Sequence, residues 1–153
     1  MLIRALNNTE FRLVLIGAPS ANQPAYYQQC RQIAANNITF IDHLPQQELV
    51  HWYQRAKVHV LPSWFETCSL SSLEAAAMGC NLVISDRGFT REYYEDYAFY
   101  CNPEDSSGIL NAVRQAAKSN VNPQFRNKIL ANYTWQKAAQ RTAAAYTQAL
   151  QLQ

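Results

Sequence analysis

The sequence predicts an α/β fold, a Rossmann-like parallel sheet with helices on both faces. Three observations carry that expectation. Short apolar runs alternate with stretches of helical spacing from residue 11 to residue 118. Strands bounded in this way by amphipathic helices imply parallel pairing through right-handed crossovers. The chain has 153 residues, 48% hydrophobic and 16% charged, which suits a single globular domain with a sound core.

Residues 11–17, Phe-Arg-Leu-Val-Leu-Ile-Gly, are an apolar run closed by glycine and read as a buried strand. Helical spacing follows over 24–36, from Tyr26 through Cys30 to Ile33 and Ala34. Ile38–Ile41 is the second strand. Pro45 opens a helix over 46–56, with Leu49, Val50, Trp52, Tyr53 and Ala56 as its apolar face. Val58–Leu61 is the third strand; a loop, a helix over 70–78 and a strand over 82–85 come next. A helix near 90–96, a short strand Phe99–Cys101 and a helix over 106–118 complete an α/β core at 1–121. Asn122-Pro123 opens a helical run to about residue 131, and Thr134 is the N-cap of a last helix to about residue 150. Residues 122–153 thus form closing helices on a single domain, 1–153.

Composition excludes several classes. A formal net charge of +2 is too small to imply nucleic acid. Cys30, Cys68, Cys80 and Cys101 have no metal spacing and no signal peptide before them, so they read as reduced thiols. No apolar run is long enough to cross a bilayer. The expectation is a cytoplasmic protein, with room for peripheral membrane contact. None of the four glycines sits in a Gly-x-Gly-x-x-Gly or P-loop pattern, which disfavours a dinucleotide cofactor. His51 and His59 have no partner at ligand spacing and there is no Asp-x-Asp pair, so no metal site is expected.

The chemistry concentrates in residues 62–88. Glu66 would lie in the loop after the third strand, and Glu74 about one turn into the next helix. A helix start exposes unpaired N–H groups that attract phosphate, and open α/β sheets collect ligands at this edge. Two acceptor-only carboxylates beside such a turn suit a ligand with one diphosphate and hydroxyls at both ends, a nucleotide-sugar. Each residue has a plainer reading. Glu66 could be a solvated carboxylate near the helix dipole. Ser71-Ser72-Leu73-Glu74 matches a capping box, with Glu74 accepting from the Ser71 N–H. Ser69, Leu70 and Ser71 could serve ordinary capping, and Cys68 has no base nearby in sequence to make it a nucleophile.

This segment resembles the signature of family 4 (group 1) retaining glycosyltransferases of the GT-B fold. In that family Pro-Ser precedes Glu-Gly-Phe-Gly-Leu-Pro-x-x-Glu, an alanine-rich helix and a Gly-x-Pro-Val-Val-like strand. Here the two glutamates keep their spacing as Glu66 and Glu74, followed by Glu-Ala-Ala-Ala-Met-Gly at 74–79. Thr67, Ser69 and Ser71 replace the two glycines and the proline, and Cys68 stands in place of an aromatic. Side chains therefore stand at Thr67 and Ser69, where the family's backbone approaches the sugar phosphates. Tyr133-Thr134-Trp135 resembles the element that opens the family's closing helix, which crosses back to the other domain.

The resemblance implies the donor half of a hexosyl transferase that uses a UDP-, GDP- or ADP-sugar and no further cofactor or metal. It implies that Glu66 is catalytic, holding donor-sugar hydroxyls and orienting the anomeric carbon. It implies donor-binding roles for Glu74 on the ribose, for Cys68, Ser69, Leu70 and Ser71 at the phosphate turn, and for His43 and Leu44 at the base. Arg87, before Gly88, would form part of the donor wall. Leu2-Ile3-Arg4-Ala5-Leu6 resembles the end of the family's first helix. The strand that precedes that helix in the family, with a Gly-Arg pair and a nearby lysine, is not among these residues, nor is the acceptor domain. The expectation is a fragment, or a chain completed by a partner, with an exposed sheet edge, loosely docked Leu2, Ile3 and Leu6, and self-association. Two other classes fit the same residues: a non-catalytic sugar-nucleotide module acting through a partner or oligomer, and a bare flavodoxin-like interaction domain.

Overall fold

The computed structural model describes residues 1–151. The elements run α1 (Leu2–Leu6), β1 (Leu13–Ile16), α2 (Pro24–Ile33), β2 (Ile38–Ile41), α3 (Gln46–Arg55), β3 (Val58–Leu61), α4 (Leu70–Met78), β4 (Asn81–Ser85), α5 (Thr90–Tyr94), β5 (Phe99–Cys101), α6 (Ser106–Lys118), α7 (Pro123–Asn132) and α8 (Trp135–Gln151). This is the predicted alternation, with most boundaries within a few residues of expectation. The helix expected over 90–96 ends sooner, because Glu95 takes a positive φ of 46°. A single 3-10 turn, Glu95–Tyr97, follows it.

All strand pairing is parallel. β4 is the middle strand of β3-β4-β5, and all five of its residues are buried. Its apolar run alternates between two cores, as strand geometry requires. Leu82 and Ile84 pack with Leu73, Ala75 and Ala76 of α4, with Tyr94, and with Phe125 and Ile129 of α7. Val83 points the other way, among Ala5 and Leu6 of α1 and Ile109, Ala112, Val113 and Ala116 of α6. Helices thus cover both faces. α4 ends at Gly79, φ 95°, where the Gly79 and Cys80 N–H groups donate back to Ala76 and Ala75. That Schellman-type reversal turns the chain directly into β4.

β1 and β2 form a separate two-stranded ladder. In a doubly wound sheet of order 3-2-1-4-5-6 these strands occupy positions 2 and 3, and β3-β4-β5 positions 4 to 6. No described strand occupies position 1, so β1 and β3 each keep an unpaired edge, as expected. One expectation fails: α1 is not loosely docked. Ile3 and Leu6 are only 7% and 2% exposed. Asn37 Nδ2 also donates to the Leu6 and Phe11 carbonyls at 2.8 Å, tying the end of α1 and the start of β1 to the β2 approach.

Capping follows the sequence in the last third. Asp105 accepts from Ser107 N–H, Asn122 from Gln124 and Phe125 N–H, and Thr134 from Lys137 N–H. α8 has no buried residue and exposes Trp135, Tyr146 and Leu150. Among the described residues, no helix is long and apolar enough to cross a membrane.

The central place of β4 is testable. Leu82, with no exposed surface, should cost about 2–5 kcal/mol when replaced by alanine. Urea unfolding followed by circular dichroism measures the loss.

Candidate functional site

The loop from Pro62 to Ser69 leaves the carboxyl end of β3, and its polar backbone is held from outside. The Ser85 hydroxyl donates to the Ser63 carbonyl. Phe89 N–H donates to the Glu66 carbonyl at 3.0 Å. The Tyr94 hydroxyl donates to the Cys68 carbonyl at 2.6 Å and lies 3.2 Å from that of Ser69. Thr90 Oγ1 donates to the Ser85 carbonyl at 2.9 Å, fixing the turn that supplies Phe89 and Tyr94. Gly88, φ 68°, lies where any side chain would strike the Glu66 backbone, so glycine is required there.

These bonds bring the predicted residues of two separate segments together. Glu66 is half-buried beside the Arg87–Gly88–Phe89 turn. Arg87 is exposed, with its guanidinium 6.0 Å from the Trp64 ring centre. Phe65 and Phe89 meet edge to face at 6.3 Å. Cys68 is half-buried and Thr67 exposed.

α4 begins with Ser69 as its N-cap, and no side chain caps it. The N–H groups of Leu70 and Ser71 in the first turn therefore have no intrahelical acceptor. Ser69 carries a left-handed φ of 49°, and its side chain is turned inward rather than toward the ligand edge: Ser69 is buried and its hydroxyl donates to Ser72 Oγ at 2.8 Å.

The capping box at Ser71 does not form, because the N-cap lies two residues earlier. Glu74 instead accepts from Gln46 Nε2 at 2.8 Å. That bond ties the first residue of α3 to α4, and places the connection carrying exposed His43 and half-buried Leu44 on the same side as Glu74. Burial, followed by the Glu74 charge, raises the Tyr53 phenol. Burial raises Tyr94 more strongly, with Cys68 and Glu66 adding to it, so both phenols stay protonated hydrogen-bond donors.

Five site-building residues escape sequence reasoning: Ser85, Thr90, Tyr94, His59 and Ser72. Their alternation and helical spacing look like ordinary core positions. His59 Nε2 lies 3.1 Å from Ser72 Oγ, and burial pushes its imidazole down to about 4. Cys80 and Cys101 are buried thiols whose surroundings push them up to about 11. Among the described residues, no three His, Cys, Asp or Glu side chains gather as a metal cluster.

The model for the family "Glycosyl transferases group 1" matches residues 1–119. The chain is 35% identical to glycogen synthase of Mycobacterium tuberculosis over 114 residues, 70% of this chain and 28% of that protein. It is 28% identical to D-inositol 3-phosphate glycosyltransferase of Corynebacterium diphtheriae over 153 residues, 94% of this chain and 36% of that protein. Sucrose-phosphate synthase of Thermosynechococcus elongatus superposes with a TM-score of 0.84 at 21% identity, covering 99% of this chain and 42% of that one. An Anabaena protein solved in complex with UDP and glucose superposes at 0.74 and 17% identity, covering 96% of this chain and 44% of that one. The solved structures show the shared fold. The chain spans 28% to 36% of the length of these two curated relatives.

His59 gives the site a pH signature. Its pKa falls from 6.5 to about 4 on folding, so the unfolded chain takes up the proton first as pH drops. The stability it contributes is complete above pH 6.5 and is lost as pH falls to about 4, by roughly 3 kcal/mol. Denaturation midpoints at pH 7 and pH 4.5 should converge in His59→Gln relative to the parent chain.

Proposed function

The chain belongs to the glycosyl transferases group 1 family, and from that premise we propose that it is the donor-binding half of a retaining hexosyltransferase of the GT-B fold. One observation supports the reading: a loop carboxylate, a helix start without a side-chain cap and a helix carboxylate follow one another from the carboxyl end of β3 into α4. Glu66 would hold donor-sugar hydroxyls. The Leu70 and Ser71 N–H groups would take the diphosphate, helped by the α4 dipole, with Ser69 and Cys68 shaping the turn and Arg87 a further phosphate contact. Glu74, freed from capping, would accept from the two vicinal ribose hydroxyls, with Gln46 orienting it. The connection at His43–Leu44 would cradle the base.

As the leaving diphosphate gains charge, backbone donors already in place stabilise it without reorganising. Transfer itself needs an acceptor held against the anomeric carbon, which oriented binding accelerates far beyond a chance encounter. Acceptor binding is therefore assigned to a further domain or partner chain. The donor is a UDP-, GDP- or ADP-sugar, with no metal or other cofactor, and the place of action is the cytoplasm or its membrane surface. Self-association would use the open edges of β1 and β3.

Titration with UDP, GDP and ADP should shift the amide signals of Glu66, Ser69–Ser71, Glu74 and His43–Leu44. No shift at millimolar ligand, or shifts on a remote surface, would remove the site. Glu74→Gln should weaken binding by about 1.5–3 kcal/mol, the worth of a hydrogen bond to a charged group, with unfolding stability nearly unchanged.

The 153-residue chain alone should not transfer sugar to an acceptor, whereas a polypeptide that includes the acceptor half should. In that longer protein Glu66→Ala should abolish transfer. Efficient transfer by the short chain would refute the reading as half a site. Donor binding without transfer in the longer protein would favour a non-catalytic module.

A further inference from the structure

Ser69 is the most constrained residue of the site. Its φ of 49° and ψ of 82° lie in the left-handed region that a non-glycine residue enters only at a cost. The orientation of the next two N–H groups, those of Leu70 and Ser71, follows from this one residue's dihedrals. Glycine would adopt them freely; serine needs something to hold it there.

The holding groups form an unbroken chain. Ser69 Oγ–H donates to Ser72 Oγ at 2.8 Å, and Ser72 is wholly buried. Ser72 Oγ in turn lies 3.1 Å from His59 Nε2. Ser72 Oγ accepts from Ser69 and keeps one proton of its own; given to Nε2, that proton makes the imidazole neutral and protonated at Nδ1. His59 is anchored on β3, with its ring edge-on to Tyr53 at 5.9 Å. Ser71 Oγ, 3.4 Å from Ser69 Oγ, is the remaining hydroxyl in reach. From the other side, Tyr94 holds the Cys68 and Ser69 carbonyls. Residue 69 is gripped by its side chain and by its backbone, from two different elements.

We propose that the His59–Ser72–Ser69 chain locks the helix-start turn in its left-handed form, which makes His59 and Ser72 positioning residues for the donor diphosphate although neither would touch it. This rests on the reading of the α4 start as the diphosphate site. Ser72→Ala leaves the Ser69 hydroxyl buried without its acceptor, and His59→Phe removes the acceptor of Ser72. Either change lets residue 69 relax and turns the two N–H groups away from the ligand. Adding Ser69→Gly to Ser72→Ala removes the stranded hydroxyl and restores free access to the same dihedrals.

The experiment uses the whole chain with UDP, GDP and ADP as probes. Kd comes from calorimetry, and the φ of residue 69 from backbone couplings and Cα shifts. Ser72→Ala and His59→Phe should raise Kd on the order of tenfold. In both, the Ser69 coupling should move toward that of an ordinary negative φ. Ser69→Gly/Ser72→Ala should recover most of the lost affinity, which a general loss of packing at Ser72 would not allow. Unchanged Kd and coupling in Ser72→Ala would overturn the proposal. So would a double variant that binds as poorly as Ser72→Ala alone. If no diphosphate binds the parent chain, the reading of the site falls, and the coupling of Ser69 in Ser72→Ala then decides the lock by itself.

Discussion

The loop between β3 and α4 depends on hydrogen-bond donors it does not contain. The carbonyls of Ser63, Glu66 and Cys68 are satisfied by Ser85, Phe89 and Tyr94, all from the next crossover along the chain. Buried or half-buried carbonyls left without donors would each cost on the order of 1–3 kcal/mol, so the loop takes this path only while β4 and α5 stand beside it. That dependence is why Glu66 and Arg87, 21 positions apart in sequence, end at one edge. It also explains the demand for glycine at position 88, where the two segments touch backbone to backbone.

The same crossover builds the hydrophobic frame. Tyr94 lies in the core with Leu73, Leu82, Ile84 and Phe125, while its hydroxyl reaches the loop. A buried tyrosine of this kind couples packing to polar order, since its ring cannot leave the core without releasing the Cys68 carbonyl. α4 is bound into the frame at both ends. Its start is fixed by Ser69 and Tyr94, and its end by the reversal at Gly79 that feeds β4. Rigid placement of a helix start is what a preorganised anion site requires.

The other half of the sheet is organised differently. Among the described residues β1 and β2 pair with each other alone, and asparagine side chains bonded to backbone carbonyls and an amide help link them to α1. α1 docks firmly because α6 supplies an apolar face for it, even though no described strand pairs with the free edges of β1 and β3. Helix burial and strand pairing are separate sources of order here, and α1 needs only the first.

The sequence by itself determined the element order, the helix start at Asn122 and the cap at Thr134, and it put the candidate site between β3 and α4. Those features rest on local periodicity, short-range capping and residue spacing, which are written along the chain. The family was visible in the same way, because the spacing of Glu66 and Glu74 survives the replacement of the glycines. Tertiary structure removed the capping reading of Glu74: the helix starts at Ser69, and Gln46, 28 residues earlier, donates to the carboxylate. It decided that the Ser69 side chain turns inward, because Ser72 accepts its hydroxyl and His59, on a strand that spacing cannot connect to this turn, meets Ser72 in turn. It also decided that α1 docks. Each of these depends on which buried donor meets which acceptor across the fold, and sequence periodicity carries no record of such pairings.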